Sequence, residues 1–185
     1  MALTATLYRF ALELADIDRN VYESLDLRVA QHPSEDAERM VVRVLARAIA
    51  HEEGLDFGRG LSEVEDPALF VEQPGGAISL WIDVGVPSAE RLHRANKRAD
   101  RLMVFTHKID ASLKKTWSTR EVHRPESIEI VQLPAELVRG LAEQLDRKIT
   151  WYVTLQDGTV SVAQGESELR GTLENCSLAE FLARE

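Results

Sequence analysis

Apolar and polar residues alternate at both ends of the chain, which is the pattern of β-strands with one buried face. Near the amino terminus the alternation covers residues 8–14 and, after the polar stretch 16–20, residues 25–29. Near the carboxyl terminus it covers residues 151–155 and resumes after Asp157-Gly158, a dipeptide that favours a tight hairpin turn. The pattern therefore predicts one antiparallel β-hairpin at each end of the chain.

The middle of the chain predicts helices and buried strands. Apolar residues recur at helical spacing over residues 34–51, with Ser34 as a candidate cap. Residues 77–85 form an apolar run typical of a central strand buried on both faces. A helix predicted over 88–101 and a second apolar run at 102–106 complete a strand-helix-strand unit. Such a crossover makes its two strands parallel.

The remaining segments complete an α/β pattern. Residues 52–76 are rich in glycine and acidic residues and are predicted as loop, with a short helical turn near 66–70. A third strand is predicted over 127–133 and a further helix over 134–148. Together these elements predict one α/β domain over residues 1–185, a mixed sheet flanked by helices with a hairpin at each end.

The composition is that of an ordinary globular protein. The chain has 185 residues, of which 44% are hydrophobic and 29% are charged. No stretch approaches the roughly 18 apolar residues of a membrane span, and the first ten residues lack a basic start and an apolar run. Cys176 is the only cysteine, so neither an internal disulfide nor a cysteine-rich zinc site is expected. We therefore expect a cytoplasmic protein that does not enter a membrane.

Familiar catalytic motifs are absent from the sequence. It contains no phosphate-binding loop, no Gly-x-Ser-x-Gly nucleophile elbow and no His-Glu-x-x-His pair. None of the five histidines lies four residues from another, which is a common metal-ligand spacing. The sequence therefore gives no support for catalysis by a thiol, a zinc ion or a nicotinamide cofactor.

Three acidic residues stand out by position. Glu38 lies on the apolar side of the first predicted helix or at its border, Asp66 precedes a proline, and Asp83 ends an apolar strand. Burying a carboxylate is costly unless it is paired or binds a cation, and Mg²⁺ or Mn²⁺ prefers such oxygen ligands. The residues by themselves favour a purely structural interpretation: Asp83 caps the next helix, Asp66 initiates a turn, and Glu38 pairs with an arginine or a backbone amide.

Charge is distributed unevenly along the chain. The net charge is −9, from 22 basic and 31 acidic residues, which argues against nonspecific coating of nucleic acid. Residues 91–124, however, hold ten basic residues against three acidic ones, a net of +7 that leaves −16 for the rest. This segment is a candidate nucleic-acid contact or, equally, a solvated helix face followed by a charged loop. The candidate contact residues are Arg94, Lys97, Arg98, Lys114 and Lys115.

Several short motifs occur together along the chain: Gln31–Glu35, Glu38–Met40, Phe57–Ser62 and Leu80–Gly85. In combination they resemble the YaeQ family of bacterial proteins. The resemblance also takes in the first three residues and the turn near the carboxyl terminus, so it covers nearly the full chain.

The resemblance implies a variant of the PD-(D/E)XK fold, the restriction-endonuclease-like core. In that superfamily three acidic residues hold one or two Mg²⁺ ions, and a lysine near the strand acid positions or activates water. Carried over by position, Glu38 would be the helix acid, Asp66 the loop acid and Asp83 the strand acid. These are the carboxylates that the pattern of the sequence had already isolated.

The superfamily lysine has no counterpart on the strand, because Gly85 stands at its position. Some superfamily members carry the lysine on a neighbouring helix, which makes Arg94 and Lys97 the candidates to replace it. Arginine stays protonated and is a poor proton acceptor, so Lys97 is the predicted catalytic residue, although it lies one turn further along the helix.

Two functions follow as expectations. The first is a metal-dependent nuclease that uses Mg²⁺ or Mn²⁺ at Glu38, Asp66 and Asp83 to hydrolyse a nucleic-acid phosphodiester. The second is a catalytically inactive nuclease-fold module that binds nucleic acid or a protein partner, for example in transcription. Retention of the three acids favours the first function, and Gly85 favours the second.

Overall fold

The computed structural model describes residues 5–59 and 65–184, in which the chain forms eleven strands, five α-helices and a short 3₁₀ helix, Pro125–Ser127. The strands are β1 (Thr6–Asp16), β2 (Val21–Gln31), β3 (Asp56–Phe57), β4 (Leu69–Glu72), β5 (Ile78–Val84), β6 (Ala99–Thr106), β7 (Ile128–Gln132), β8 (Lys148–Gln156), β9 (Thr159–Gln164), β10 (Ser167–Thr172) and β11 (Glu174–Ser177). The helices are α1 (Ala37–Ile49), α2 (Ala89–Arg98), α3 (Ala111–Trp117), α4 (Ala135–Glu143) and α5 (Leu178–Ala183). None of the described helices is long and apolar enough to cross a bilayer.

The two predicted hairpins are confirmed, and they belong to one sheet. Its five strands lie in the order β10-β9-β8-β1-β2. The hairpins β1–β2 and β8–β9 are antiparallel, and β1 pairs with β8 in parallel, with Leu12 opposite Trp151. The ends of the chain are therefore joined through backbone hydrogen bonds between distant segments.

The second sheet contains the predicted strand-helix-strand unit. Its six strands lie in the order β11-β7-β6-β5-β4-β3, and β5, β6 and β7 are parallel to one another. The prediction of a single mixed sheet is thus corrected to two mixed sheets. Helices contribute to the cores on both faces of this sheet, α1 and α4 together with the first sheet on one face, and α2, α3 and α5 on the other.

Both faces of β5 are buried, as the apolar run predicted. Leu80 and Ile82 belong to the core that the two sheets share with α1 and α4. Trp81 points the opposite way and packs in a second core with α2, α3 and α5. Asp83 follows Trp81 by two residues and so lies on the α2 side of the sheet.

The segment 52–76 differs from its prediction as loop with a helical turn. Residues 69–72 form β4, which pairs antiparallel with β5, and β3 pairs with β4 in turn. Residues 60–64 of this segment lie outside the described part of the chain. The helical turn was predicted from a proline and nearby apolar residues, but pairing with the buried edge of β5 satisfies more backbone groups there.

Helix boundaries also differ from the predictions. The first helix begins after Asp36, whose carboxylate accepts a hydrogen bond from the Arg39 backbone N–H at 2.6 Å, and not after Ser34. The helix predicted over 88–101 ends at Arg98, because the chain from Ala99 onward pairs with β5. The helix predicted over 134–148 is shorter and ends at Glu143.

A buried ion pair fixes the start of α1 against β2. The Glu35 side chain is 1% exposed and accepts hydrogen bonds from Arg43 at 2.7 and 2.8 Å and from Arg39 at 2.7 Å. Arg43 also donates to the Ala30 carbonyl of β2 at 2.9 Å. One carboxylate thus orients two guanidinium groups on the same helix.

We expect Glu35→Ala to lower the free energy of unfolding by about 3–5 kcal/mol, because it leaves the buried Arg43 guanidinium without its carboxylate. Chemical denaturation would measure this loss. Glu136→Ala, which removes the exposed partner of Arg139 on α4, is the matched control and should change stability little. Equal losses in the two variants would contradict the role assigned to Glu35.

Candidate functional site

A cavity of about 400 Å³ opens at the carboxyl ends of β5 and β6. Five parts of the chain wall it: the start of α1, the approach to β4, the end of β5 with the turn after it, the first turns of α2, and the residues after β6. In open parallel sheets this edge is where ligands usually bind, and the volume suits a small ligand or part of a larger one.

Asp83 lies at the floor of this cavity and is 3% exposed. Arg91 of α2 holds the carboxylate with two hydrogen bonds, from Nε to Oδ2 at 2.7 Å and from Nη2 to Oδ1 at 2.6 Å. The indole Nε1 of Trp81 donates a third, at 3.0 Å. A bidentate guanidinium is a strong partner for a buried carboxylate, which explains how the strand tolerates this charge.

The pKa of Arg91 is raised. Burial by itself lowers it, but the hydrogen bond to Asp83 and the charges of Asp83, Glu65 and Asp66 together outweigh burial. The guanidinium is therefore held firmly in its charged form.

Asp66 meets Asp83 through the same arginine. Nη2 of Arg91 donates to the main-chain carbonyl of Asp66 at 2.7 Å, while the Asp66 carboxylate accepts from Nε of Arg59 at 2.6 Å. The structure thus brings two of the three predicted acids to one cavity, and both carboxylates have arginine partners.

Glu38, the third predicted acid, does not line this cavity. Its carboxylate lies 2.9 Å from Nε2 of His107, and its side chain is 37% exposed. His107 does line the cavity, with its side chain 5% exposed, and its Nδ1 is buried without a hydrogen-bond partner. The predicted position of Glu38 at the border of the buried side is consistent with this half-buried pair.

The α1 wall of the cavity is basic. Arg39 and Arg43 both line it and share Glu35 as their carboxylate, so this cluster has one positive charge in excess. Lys108 also lines the cavity, with Nζ 3.5 Å from the carboxylate of Asp36 at the start of α1. Burial raises the pKa of Asp36, but the Arg39 backbone hydrogen bond and the Lys108 charge outweigh it, so that this pKa is lowered overall.

The side chains as they lie do not fit the predicted Mg²⁺ or Mn²⁺ site. Within residues 5–59 and 65–184, no group of three or more histidine, cysteine, aspartate or glutamate side chains could hold a metal ion. Glu38 is paired with His107 and does not itself line the cavity, and the oxygens of Asp83 accept hydrogen bonds from Arg91 and Trp81. In this arrangement the structure brings Asp66 and Asp83 together and leaves Glu38 apart, and the Mg²⁺ or Mn²⁺ site stays a prediction.

The predicted helix residues have different surroundings. Lys97 is exposed and is not among the residues that line the cavity, so Arg91 and not Lys97 is the α2 side chain that reaches Asp83. Arg94 is exposed and lies 3.3 Å from Glu65. The Arg98 guanidinium lies 5.3 Å from the ring centre of Trp81, a cation–π contact.

The two lysines predicted on the following segment lie on α3. Nζ of Lys114 donates to the main-chain carbonyl of Arg184, and Lys115 is exposed. α3 packs in the same core as α2, and the Trp117 indole donates to the Pro87 carbonyl at 2.9 Å. The predicted basic residues of α2 and α3 are therefore carried on the same side of the six-stranded sheet.

Two residues of the cavity carry a role that sequence reasoning missed. Arg91 was counted among the basic residues, but nothing local marks it as the partner of an aspartate eight positions earlier. His107 could have been found, because it directly follows the run 102–106, whose carboxyl end is a preferred place for ligands in a parallel sheet.

We expect Asp83→Ala to destabilise the protein by about 3 kcal/mol or more, because it leaves the half-buried Arg91 guanidinium without its carboxylate. Asp66→Ala should cost about 1 kcal/mol or less, since its side-chain partner Arg59 is 71% exposed. Urea unfolding measures both. A loss for Asp83→Ala no greater than that for Asp66→Ala would show that the buried pair does not stabilise the sheet edge.

Comparison with known proteins gives one consistent result. The sequence model of the family described as YaeQ protein matches residues 1–173. The chain is 31% identical over 175 residues to YaeQ of Escherichia coli (strain K12), covering 94% of this chain and 96% of that protein. It is 32% identical over 171 residues to YaeQ of Salmonella typhi, covering 91% and 94% respectively.

Solved structures agree with the sequence matches. The crystal structure of YaeQ from Pseudomonas syringae superposes with a TM-score of 0.82 at 34% identity, covering 92% of this chain and 94% of that one. The structure of YaeQ from Xanthomonas axonopodis pv. citri superposes with a TM-score of 0.83 at 32% identity, covering 94% and 98%. The family match over residues 1–173 and the likeness along nearly whole chains lead to one conclusion: this chain belongs to the YaeQ family.

Proposed function

We propose that this protein binds the phosphate backbone of a nucleic acid at the cavity and along α2, and that it does not hydrolyse the nucleic acid. The observation that carries the proposal is a line of basic residues on α2 that begins in the cavity. Arg91 lines the cavity, and Arg94 and Arg98 follow it at three and seven positions along the helix. This spacing puts the three guanidinium groups on one face of α2.

The geometry of that face suits a phosphate backbone. At a rise of about 1.5 Å per residue, Arg91 and Arg98 are separated by roughly 10 Å along the axis of α2. Lys97 is exposed on the flank of the same face, and Lys115 of α3 is exposed on the same side of the sheet. Guanidinium and ammonium groups at such intervals contact phosphates without regard to base sequence.

The distribution of charge supports the same proposal. The whole chain carries a net charge of −9, so attraction to a polyanion must be local. The excess positive charge of the cluster formed by Arg39, Arg43 and Glu35 lies in the cavity wall, beside the α2 line. A phosphate in the cavity would thus meet basic groups from α1, from α2 and, through Lys108, from the turn after β6.

Absence of hydrolysis is proposed from the state of the acidic residues. Asp83 is neutralised by Arg91, Asp66 by Arg59, and Gly85 stands where the superfamily pattern has its lysine. Nucleases of that superfamily need free carboxylate oxygens for their metal ions. The restriction-endonuclease-like origin of the fold stays a prediction. Binding of nucleic acid without hydrolysis is compatible with that origin.

A metal-dependent nuclease is the second candidate, favoured by one observation: Asp66 and Asp83 lie in the same cavity at the carboxyl edge of the parallel strands. That activity would need Arg91 to leave the Asp83 carboxylate. Glu38 would remain outside the cavity as the side chains lie.

We expect the double variant Arg94→Gln/Arg98→Gln to bind a fluorescently labelled single-stranded oligonucleotide more weakly than the wild-type protein. If both side chains contact phosphates, the slope of log K against log salt should fall by about 1.4, since each contact contributes about 0.7 on a single strand. Fluorescence anisotropy over a range of salt concentrations measures this. Lys115→Gln should weaken binding in the same salt-dependent way.

The matched control is Arg28→Gln/Arg170→Gln, which removes the same charge from exposed positions on β2 and β10 of the other sheet. It should bind like the wild-type protein. Equal affinity of all the proteins at low salt would refute the proposed surface. The same oligonucleotide should stay intact with Mn²⁺ present; cleavage that disappears in Asp83→Asn would instead favour the nuclease.

A further inference from the structure

We propose that the Arg91 guanidinium occupies a latent divalent-cation site and thereby prevents a metal ion from binding there. Three oxygen atoms converge on its guanidinium: Oδ1 and Oδ2 of Asp83 at 2.6 and 2.7 Å, and the main-chain carbonyl of Asp66 at 2.7 Å. A carboxylate together with a main-chain carbonyl is a donor set that hard divalent cations such as Mn²⁺ and Mg²⁺ use in proteins.

The Asp83 carboxylate and the Arg91 guanidinium are both largely shielded from water. Asp83 is 3% exposed, and the Arg91 side chain is 21% exposed. A carboxylate this sheltered from water needs a positive partner, and the protein supplies one from α2. Trp81 adds a neutral donor to Oδ1, and its ring centre lies 5.6 Å from the Arg91 guanidinium carbon. The arginine is therefore held by the carboxylate and by the aromatic ring together.

Charge excludes simultaneous occupancy. A divalent cation bound to the Asp83 carboxylate would lie a few ångströms from the guanidinium, and two positive charges at that distance repel each other strongly in a site shielded from solvent. A guanidinium stays protonated in proteins, so the arginine cannot make room by losing its proton. Metal can bind only if the Arg91 side chain moves or is replaced.

The geometry accounts for the mismatch between the superfamily pattern and this site. The two acids that the pattern assigns to metal lie together, but the Asp83 carboxylate faces Arg91 and the Asp66 carboxylate faces Arg59. The inference concerns cations alone and does not rest on the proposed nucleic-acid binding, because metal binding is measured without any oligonucleotide.

The experiment uses the full-length protein, freed of metal with a chelator and titrated with MnCl₂ by calorimetry and by thermal unfolding. The wild-type protein should show no saturable binding and no shift in melting temperature. Arg91→Met and Arg91→Gln should each bind one Mn²⁺. Their melting temperatures should rise by about 5 °C or more when Mn²⁺ exceeds its dissociation constant a hundredfold. Arg91→Gln keeps a neutral hydrogen-bond donor for Asp83, so this variant tests the inference even if Arg91→Met fails to fold.

Two further variants isolate the site. Arg94→Met removes the next basic residue of α2, which lies at 3.3 Å from Glu65, and should behave like the wild-type protein towards Mn²⁺. Adding Asp83→Asn to Arg91→Gln should abolish the binding, because the carboxylate is the main ligand.

The inference is overturned if the wild-type protein binds Mn²⁺ as tightly as the Arg91 variants, if neither variant binds it, or if binding survives Asp83→Asn. Should an Arg91 variant be unfolded without metal, recovery of the folded state on adding Mn²⁺ supports the inference, and failure to recover counts against it. Loss of oligonucleotide binding in any variant bears on the proposed function only.

Discussion

A charged carboxylate in a protein interior has to be paired, and the pairing of Asp83 organises the sheet edge where the candidate site lies. Arg91 reaches this carboxylate from α2 and at the same time binds the main-chain carbonyl of Asp66, which precedes β4. One guanidinium thereby ties together the end of β5, the following helix and the approach to the neighbouring strand. The cavity exists between these three segments and α1.

The same interaction sets the chemical character of the cavity. Because Arg91 pairs with Asp83 and Arg59 pairs with Asp66, both acidic side chains of the cavity are neutralised by arginine. Glu35 has a parallel role on the α1 wall, where it orients Arg39 and Arg43. In both places a buried acid holds an arginine that lines the cavity.

Local patterns predicted the parts of the fold whose burial is visible in sequence. The alternation near Leu12 and Trp151 predicted both hairpins, and the run 77–85 predicted a strand covered on both faces. The strand β4 was missed, because a four-residue strand is stabilised by its neighbour β5 and has little periodicity of its own. The joining of both hairpins into one sheet was missed for a similar reason, since hydrogen bonds between β1 and β8 link segments more than a hundred residues apart.

By itself the sequence determined the α/β class, the crossover between β5 and β6, the family resemblance, and the three acids worth examining. Only the tertiary structure decided what those acids do. Asp83 and Asp66 meet at Arg91, whereas Glu38 turns to His107. The physical reason is that the burial of a side chain can be inferred from the spacing of apolar residues around it in the sequence. Its partner, however, depends on which distant groups the fold brings into the same low-dielectric surroundings. A buried charge selects that partner by geometry in space, and no spacing along the chain records the choice.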